Sequence, residues 1–277
     1  MIYSRASREV QIYKFHLNSW YGRFGNNLIQ LSNAIYVARQ TNSILTFTAH
    51  SVIKNCVFDF SNGNKNLKQV SSNFWNLTTF EKVNLENLYT QRSSILKKYI
   101  LPLLPYIPQS NEYDLVVHFR GGDIFTNPPP SYVQMPLSYF LKIFKKENAS
   151  NILLVCEDSK NPVISKLLES QFNCHYQSGT IYEDINYILN APVLVLAGIT
   201  TFSEFLSLCS EKIKKIYYPI CEKEFVNRLR YIASHEIIDV HCDNYIKMGH
   251  WRADPEQLRR ILTHPVDKIY LKGPSNK

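Results

Sequence analysis

The sequence predicts an α/β protein of two lobes, and three observations carry that reading. Short apolar runs alternate with amphipathic stretches through the second half, a strand-loop-helix unit opens the first half, and Pro102, Pro105 and Pro108 interrupt the chain between them. At 277 residues the chain suits two lobes of ordinary size. Its 45% hydrophobic and 13% aromatic content supplies sizeable cores and excludes wholesale disorder.

The elements run in a clear order. In "QIYKFHLNSWYGRFGNNLIQLSNAIYVARQTNS" a strand-like run reaches Trp20, a Gly-containing turn comes next, and Leu28, Leu31, Ile35 and Ala38 recur at helical spacing. From Ile44 to about Leu104 short apolar segments alternate with Asn-rich turns, and the prolines then break any continuing helix. The lobe boundary is set there, giving residues 1–108 and 109–277. The second lobe reads as strand "DLVVHF", helix "SYFLKIFKKE", strand "NILLVCE", helices "NPVISKLLESQ" and "EDINYILNA", strand "PVLVLAG", helix "TFSEFLSLCS" and strand "KIKKIYYP". Apolar strands interleaved with amphipathic helices imply a parallel sheet covered on both faces. Such doubly wound sheets bind ligands beyond the carboxyl ends of their strands.

Charge and motif content narrow the function. The formal charge of +8 is scattered along the chain, so it favours an anionic ligand without choosing one. Neither a two-Cys/two-His finger nor an RNP-type strand occurs, and no nucleic-acid partner is expected. The longest uncharged apolar stretch, "APVLVLAGI" at 191–199, falls far short of the roughly 20 residues that span a bilayer. With no apolar signal core near the start, a soluble, cytoplasmic protein is expected. Six cysteines lie far apart with no C-x-x-C pair and read as free buried thiols of a reducing compartment. His241, Cys242 and His250 match no standard zinc spacing, and no metal site is expected. The sequons at Asn76 and Asn148 are expected by chance in a chain rich in Asn and Ser.

Three loops at strand-to-helix junctions can hold an anion. "VVHFRGGDIF" places His118, Arg120 and Asp123 just past a strand end, where a planar guanidinium can grip two phosphate oxygens at once. Gly121 and Gly122 would let the backbone approach a ligand closely. The same residues also suit a buried Arg120–Asp123 pair closing a turn. In "YGRFGNN", Gly22 and Gly25 open a helix N-terminus whose free amides and dipole favour an anion, although the loop is neither a P-loop nor a G-x-G-x-x-G. "AGITTFSEF" ends a strand at Gly198 and offers Thr200, Thr201 and Ser203 at the next helix, a pattern that also serves ordinary N-capping. Three such loops, one carrying an arginine, suggest a nucleotide.

These residues resemble the fucosyltransferase-like glycosyltransferases of two-Rossmann (GT-B) architecture, including α-1,2-, α-1,6- and protein O-fucosyltransferases. "GRFGNN" is similar to the family's G-R-[LF]-G-N-Q loop, with Asn27 in place of the usual Gln. "VVHFRGGD" resembles its H-x-R-R-x-D element, with Gly121 where many relatives have a second arginine. "EDINYILNAPVLVLAGITTFSEF" is similar to its late motif of an Asp opening a helix, an apolar strand and S-[ST]-F-S. The resemblance implies a GT-B-like fold with an active-site cleft between an acceptor-side lobe, 1–108, and a nucleotide-sugar-binding lobe, 109–277. It makes Arg120 the ligand of the donor β-phosphate and His118 a neighbour of the nucleotide. Thr201, Phe202 and Ser203 would line the phosphate and base pocket, and Asp184 would reach the base or ribose. Arg23, with Gly25 beside it, and Asn26 would approach the diphosphate and the sugar. Arg120, Asn26 and Asp123 form the expected catalytic set.

The implied reaction moves one sugar from a nucleotide-diphosphate donor to a glycan or protein hydroxyl, with inversion. The donor expected from the resemblance is GDP-fucose; a UDP-sugar such as UDP-xylose is the alternative, as is a binding protein of the same fold without catalysis. No cofactor is expected. No D-x-D sequence is present to chelate a cation on the diphosphate, so the reaction is expected to be metal-independent. "IFTNPPPSYVQ" contains no Glu where α-1,6-type relatives place a candidate base, which leaves the base open. A chain without a membrane anchor is expected of a bacterial or virus-encoded member.

Overall fold

The computed structural model describes residues 12–63, 67–77, 80, 84–110, 112–125, 133–198, 200–220, 235–245 and 252–273. The chain divides into two compact units, 1–104 and 105–277. Both are α/β with parallel strands at their centre, the fold class read from the sequence.

In unit 1 the order is β1 (Ile12–Leu17), α1 (Phe24–Gln40), β2 (Ile44–Phe47), β3 (Phe58–Asp59), β4 (Leu67–Ser72) and α2 (Leu85–Ile95). The sheet runs β3-β2-β1-β4, with β1 parallel to both β2 and β4 and only the two-residue β3 antiparallel. Alternate residues Phe15 and Leu17 on β1, and Leu45 and Phe47 on β2, are buried, as a sheet with one covered face requires. Leu28, Leu31, Ile35 and Ala38 are fully buried, as their spacing predicts.

Helix α1 also buries Asn27, Gln30 and Asn33, three residues apart along one line. Each holds a loop. Asn27 Nδ2 donates to Tyr21 O (3.1 Å), and Gln30 Nε2 donates to Ser19 O (3.2 Å) and Asn73 O (2.6 Å). Gln30 Oε1 accepts from Tyr21 N (2.6 Å), and Asn33 Nδ2 donates to Phe74 O (3.0 Å) while its Oδ1 accepts from the buried Arg92 (2.8 Å). Buried amides of this kind are tolerated only because their donors and acceptors are used.

In unit 2 the order is β5 (Leu115–His118), α3 (Leu137–Glu147), β6 (Ile152–Val155), α4 (Pro162–Leu168), β7 (Cys174–Gln177), α5 (Ile181–Asn190), β8 (Val193–Leu196), α6 (Thr201–Cys209), β9 (Lys215–Ile220), β10 (Glu236–Cys242), α7 (Pro255–Thr263) and β11 (Ile269–Lys272). The sheet runs β7-β6-β5-β8-β9-β10-β11, parallel except for the edge strand β11. From β5 the chain winds outward to β7, then returns through α5 to start again at β8 beside β5. That is the doubly wound order of nucleotide-binding sheets, and its switch point lies between β5 and β8. One face packs Leu115, Val117, Phe119 and Leu154 against Tyr139, Phe140, Ile143 and Phe144 of α3. Helices α5 and α6 pack together, with α5 on β5 and α6 on β8.

The unit boundary falls four residues before the break expected at 108. The reason is a set of bonds to α5: Asn186 binds Pro105 O (2.8 Å) and Ile107 N (2.8 Å), and Asn190 binds Tyr106 Oη (3.2 Å), Ile107 O (3.1 Å) and Gln109 N (3.1 Å). The strand β7 escaped the sequence reading because an edge strand keeps mixed burial and shows no apolar run. Among the described residues no helix is long and apolar enough to cross a membrane, and Cys56, Cys156, Cys174, Cys209 and Cys242 are free thiols. Burial pushes the Cys156 and Cys242 thiols up to about 12, so neither is a nucleophile at neutral pH.

Gln30→Leu tests the polar line on α1. It leaves Tyr21 N–H and two carbonyls without their partner, so unit 1 should lose about 3 kcal/mol, read as a lower midpoint in urea unfolding. An unchanged midpoint would mean that solvent already satisfies these groups.

Candidate nucleotide site

At the switch point β5 and β8 stay joined to their carboxyl ends. His118 pairs with Leu196, and His118 O still accepts from Ala197 N at 3.2 Å. Phe119 turns into the α3 face, where its ring lies 4.8 Å from Phe140. His118, its neighbour in an alternating chain, is directed to the opposite side. Its ring lies 5.2 Å from that of Phe202 in the first turn of α6, tilted by 44°. Two of the three loops picked from the sequence therefore meet at this point. Arg120, partly exposed, stands two residues beyond His118.

Helix α6 begins with Thr201, Phe202 and Ser203 after Thr200, whose side chain makes no capping bond. Ser203 is fully buried and its Oγ has no hydrogen-bond partner. By contrast α2, α4, α5 and α7 are each capped by the side chain of Asn84, Asn161, Thr180 and Asp254. A helix N-terminus beside a buried hydroxyl is a place where amides and the helix dipole favour an anion. The ordinary N-capping that the hydroxyls of this loop also suited is not what Thr200 does.

Gly121 and Gly122 have a different use from the one expected. A Cβ at 121 would lie 3.1 Å from Cys156 Sγ and 3.2 Å from Asp158 Oδ1, and one at 122, where φ is +66°, would lie 2.6 Å from Glu157 Oε2. Gly122 N also donates to Asp158 Oδ2 at 3.1 Å. The glycines therefore admit the chain's own Glu157–Asp158 turn after β6. The side chain of Asp123 lies outside the described residues, as do residues 126–132 and His250.

Asp184 sits one turn into α5. It does not cap the helix, because Thr180 and Glu183 form a reciprocal capping box. Its Oδ1 is buried without a partner. Burial first, then the charges of Glu183 and Glu157, push its pKa up to about 6. Glu157 and Asp158 were missed in the sequence, although they follow "ILLVC" as Arg120 follows "LVVHF". The position past a buried strand was the available signal.

The loop at α1 belongs to unit 1. Arg23 is the N-cap residue and makes no side-chain capping bond, Gly25 lies buried in the first turn, and Asn26 is partly exposed. Gly22 has φ +66°, and a Cβ there would meet Asn26 Nδ2 at 2.5 Å, so the turn sets where Asn26 rests. Asn27, the departure from the family's Gln, is structural: its Oδ1 accepts from His50 Nε2 at 3.1 Å. His50 Nδ1 accepts Val52 N and Ile53 N, which assigns the proton to Nε2, and burial keeps the ring's pKa below the ordinary histidine value.

No protein-family model matches the sequence, and no curated protein matches it. Among solved structures, POFUT1 in complex with GDP is similar over 76% of this chain and 98% of its own, at 10% identity and a TM-score of 0.43. POFUT1 in complex with GDP-fucose is similar over 75% and 97%, at 11% identity and a TM-score of 0.43.

The environment of Asp184 generates a pH prediction. Its folded pKa of about 6 exceeds the ordinary 3.8, so the folded state holds the extra proton between these values. The contribution of this carboxyl to stability is then greatest below about pH 4 and is lost as pH rises through 6. Asp184→Asn should remove that loss, melting a few degrees above the parent at pH 7.5 and near it at pH 4. A variant that melts lower at pH 7.5 would place a stabilising partner on the carboxylate.

Proposed function

We propose that the chain is a glycosyltransferase that takes its sugar from a nucleoside-diphosphate donor bound at the β5/β8 switch point. The observation that carries this is the meeting of His118 with the uncapped end of α6, one residue pair away from Arg120. In this reading Arg120 and the amides of Thr201, Phe202 and Ser203 hold the diphosphate, and Ser203 Oγ supplies a further donor. As the glycosidic bond breaks, negative charge grows on the leaving diphosphate, and fixed donors aimed at it lower the barrier. The acceptor is a glycan or protein hydroxyl.

The base is proposed to be guanine, with GDP-fucose as donor. An ionised, poorly solvated carboxylate such as Asp184 is satisfied by two adjacent N–H donors. Guanine offers N1–H and its amino group on one edge, whereas uracil offers a single N–H between two carbonyls. Incubation with a panel of GDP- and UDP-sugars, read as nucleotide release, tests the reading. Release from GDP-fucose supports it; binding without release leaves the non-catalytic alternative, and release from a UDP-sugar alone moves the assignment to that donor.

Two outcomes are expected of the enzyme. Arg120→Ala should lower kcat on the order of a hundredfold or more, about 3 kcal/mol, because the interaction strengthens as charge develops. Arg120→Lys should recover only part, since a point charge lacks the two-pronged grip. A folded Arg120→Ala that turns over normally would sink the assignment. EDTA should leave the rate unchanged; loss of activity restored by Mn²⁺ would mean that a cation, not Arg120 and the helix amides, carries the diphosphate.

A further inference from the structure

Tyr21 and Trp75 are 52% and 38% exposed, and their rings touch, 4.7 Å between centroids and tilted by 42°. Single exposed apolar side chains are ordinary; a contiguous aromatic pair held in one geometry is not. The pair is held by the interior. Gln30, fully buried, accepts from Tyr21 N and donates to Asn73 O, so one amide ties down both ring-bearing loops. Asn73 Oδ1 in turn accepts from Trp75 N at 3.1 Å. Between them Phe74 adopts φ +52°, a conformation bulky residues avoid. Its own ring is fully buried against Phe15 and Phe80, and Asn33 holds its carbonyl. Such outliers persist where the surroundings over-determine them and cluster at functional sites. Here the buried Phe74 leaves Trp75 on the surface.

The location adds a second argument. Tyr21 follows β1 and Trp75 follows β4, adjacent parallel strands that stay linked to their ends by Asn18 N to Ser72 O at 3.1 Å. Both rings therefore rise from the carboxyl edge of the unit 1 sheet, the edge where α/β sheets take ligands. Around them Asn18, Ser19 and Asn73 are exposed and polar.

We propose that Tyr21 and Trp75 form the platform for a pyranose ring of a saccharide acceptor. The inference rests on the transferase reading above. One face of a pyranose presents C–H groups made electropositive by the ring and hydroxyl oxygens, and these pack on the negative face of an aromatic ring. The hydroxyls around the rim meet the Asn and Ser side chains. Two rings tilted by 42° suit a puckered sugar, since both cannot lie parallel to one flat nucleobase.

Saturation-transfer NMR on the full chain tests this with N-acetyllactosamine, methyl β-D-galactopyranoside, methyl α-D-mannopyranoside and tri-N-acetylchitotriose, and in parallel with GDP. At least one saccharide should bind saturably, and Tyr21→Ala or Trp75→Ala should weaken it about tenfold, roughly the worth of one aromatic contact. Trp75→Phe should retain most of the affinity, which separates stacking from a change in fold, and the melting temperature of each variant controls for folding. The proposal falls if none of the four saccharides binds, or if folded alanine variants bind them undiminished. It falls equally if these variants lose GDP and keep the saccharide, which would make the pair a nucleobase shelf. Wild-type protein that releases nucleotide from no donor overturns the transferase reading instead, and the saccharide titration is unaffected by that result.

Discussion

The site depends on one topological constraint, the reversal of winding between β5 and β8. Up to β7 the chain moves outward from β5 in one direction, and after α5 it moves outward from β8 in the other. Helices that succeed these two strands depart from each other, so no crossover helix covers the gap past their carboxyl ends. The hydrogen bond from Ala197 N to His118 O carries the ladder to the lip of that gap. The ladder brings His118 at the end of β5 beside Phe202 in the first turn of α6.

Across this gap the electrostatics are graded. On the β8 side lie the uncapped amides of α6 and the buried hydroxyl of Ser203. On the β6 side lie Glu157, Asp158 and Asp184, in a chain whose formal charge is +8. Carboxylates placed near an anion site would be a liability if the ligand were anionic throughout. The nucleotide proposed above is not: its diphosphate is a strong acceptor, and its base and ribose offer N–H and O–H donors. Burial and the charges of Glu183 and Glu157 hold the pKa of Asp184 above the ordinary value.

Much of unit 2 was legible in the sequence because buried parallel strands are written as unbroken apolar runs, and "LVVH", "ILLV" and "VLVL" are easy to find. His118, Arg120 and the α6 loop stood out as candidates because polar groups directly after such runs need an explanation. Other features depend on contacts no local pattern contains. The glycines at 121 and 122 read as space for a ligand, and only the fold reveals Glu157 and Asp158 in that space. The burial of Asn27, Gln30 and Asn33 comes from loops at Ser19, Tyr21, Asn73 and Phe74 that close over them. Apolar periodicity locates a core, but it does not say which polar residues the core will enclose.

The two units solve the same problem in different ways. In unit 2 a strand ladder sets the site, so the backbone itself fixes the spacing between loops. In unit 1 the loops after β1 and β4 leave a small sheet, and side-chain amides of α1 take over the positioning, with Gln30 reaching three backbone groups at once. A ladder tolerates substitution at most positions because its bonds belong to the main chain. An amide column does not, since each bond rests on one side chain, and a buried Gln30 without partners costs more than an apolar residue would. Its three partners are backbone groups of the loops at Ser19, Tyr21 and Asn73, and a leucine there would leave all three unsatisfied. The same amide fixes Tyr21 and the Asn73–Trp75 turn, so the bonds that stabilise unit 1 also set the carboxyl edge of its sheet.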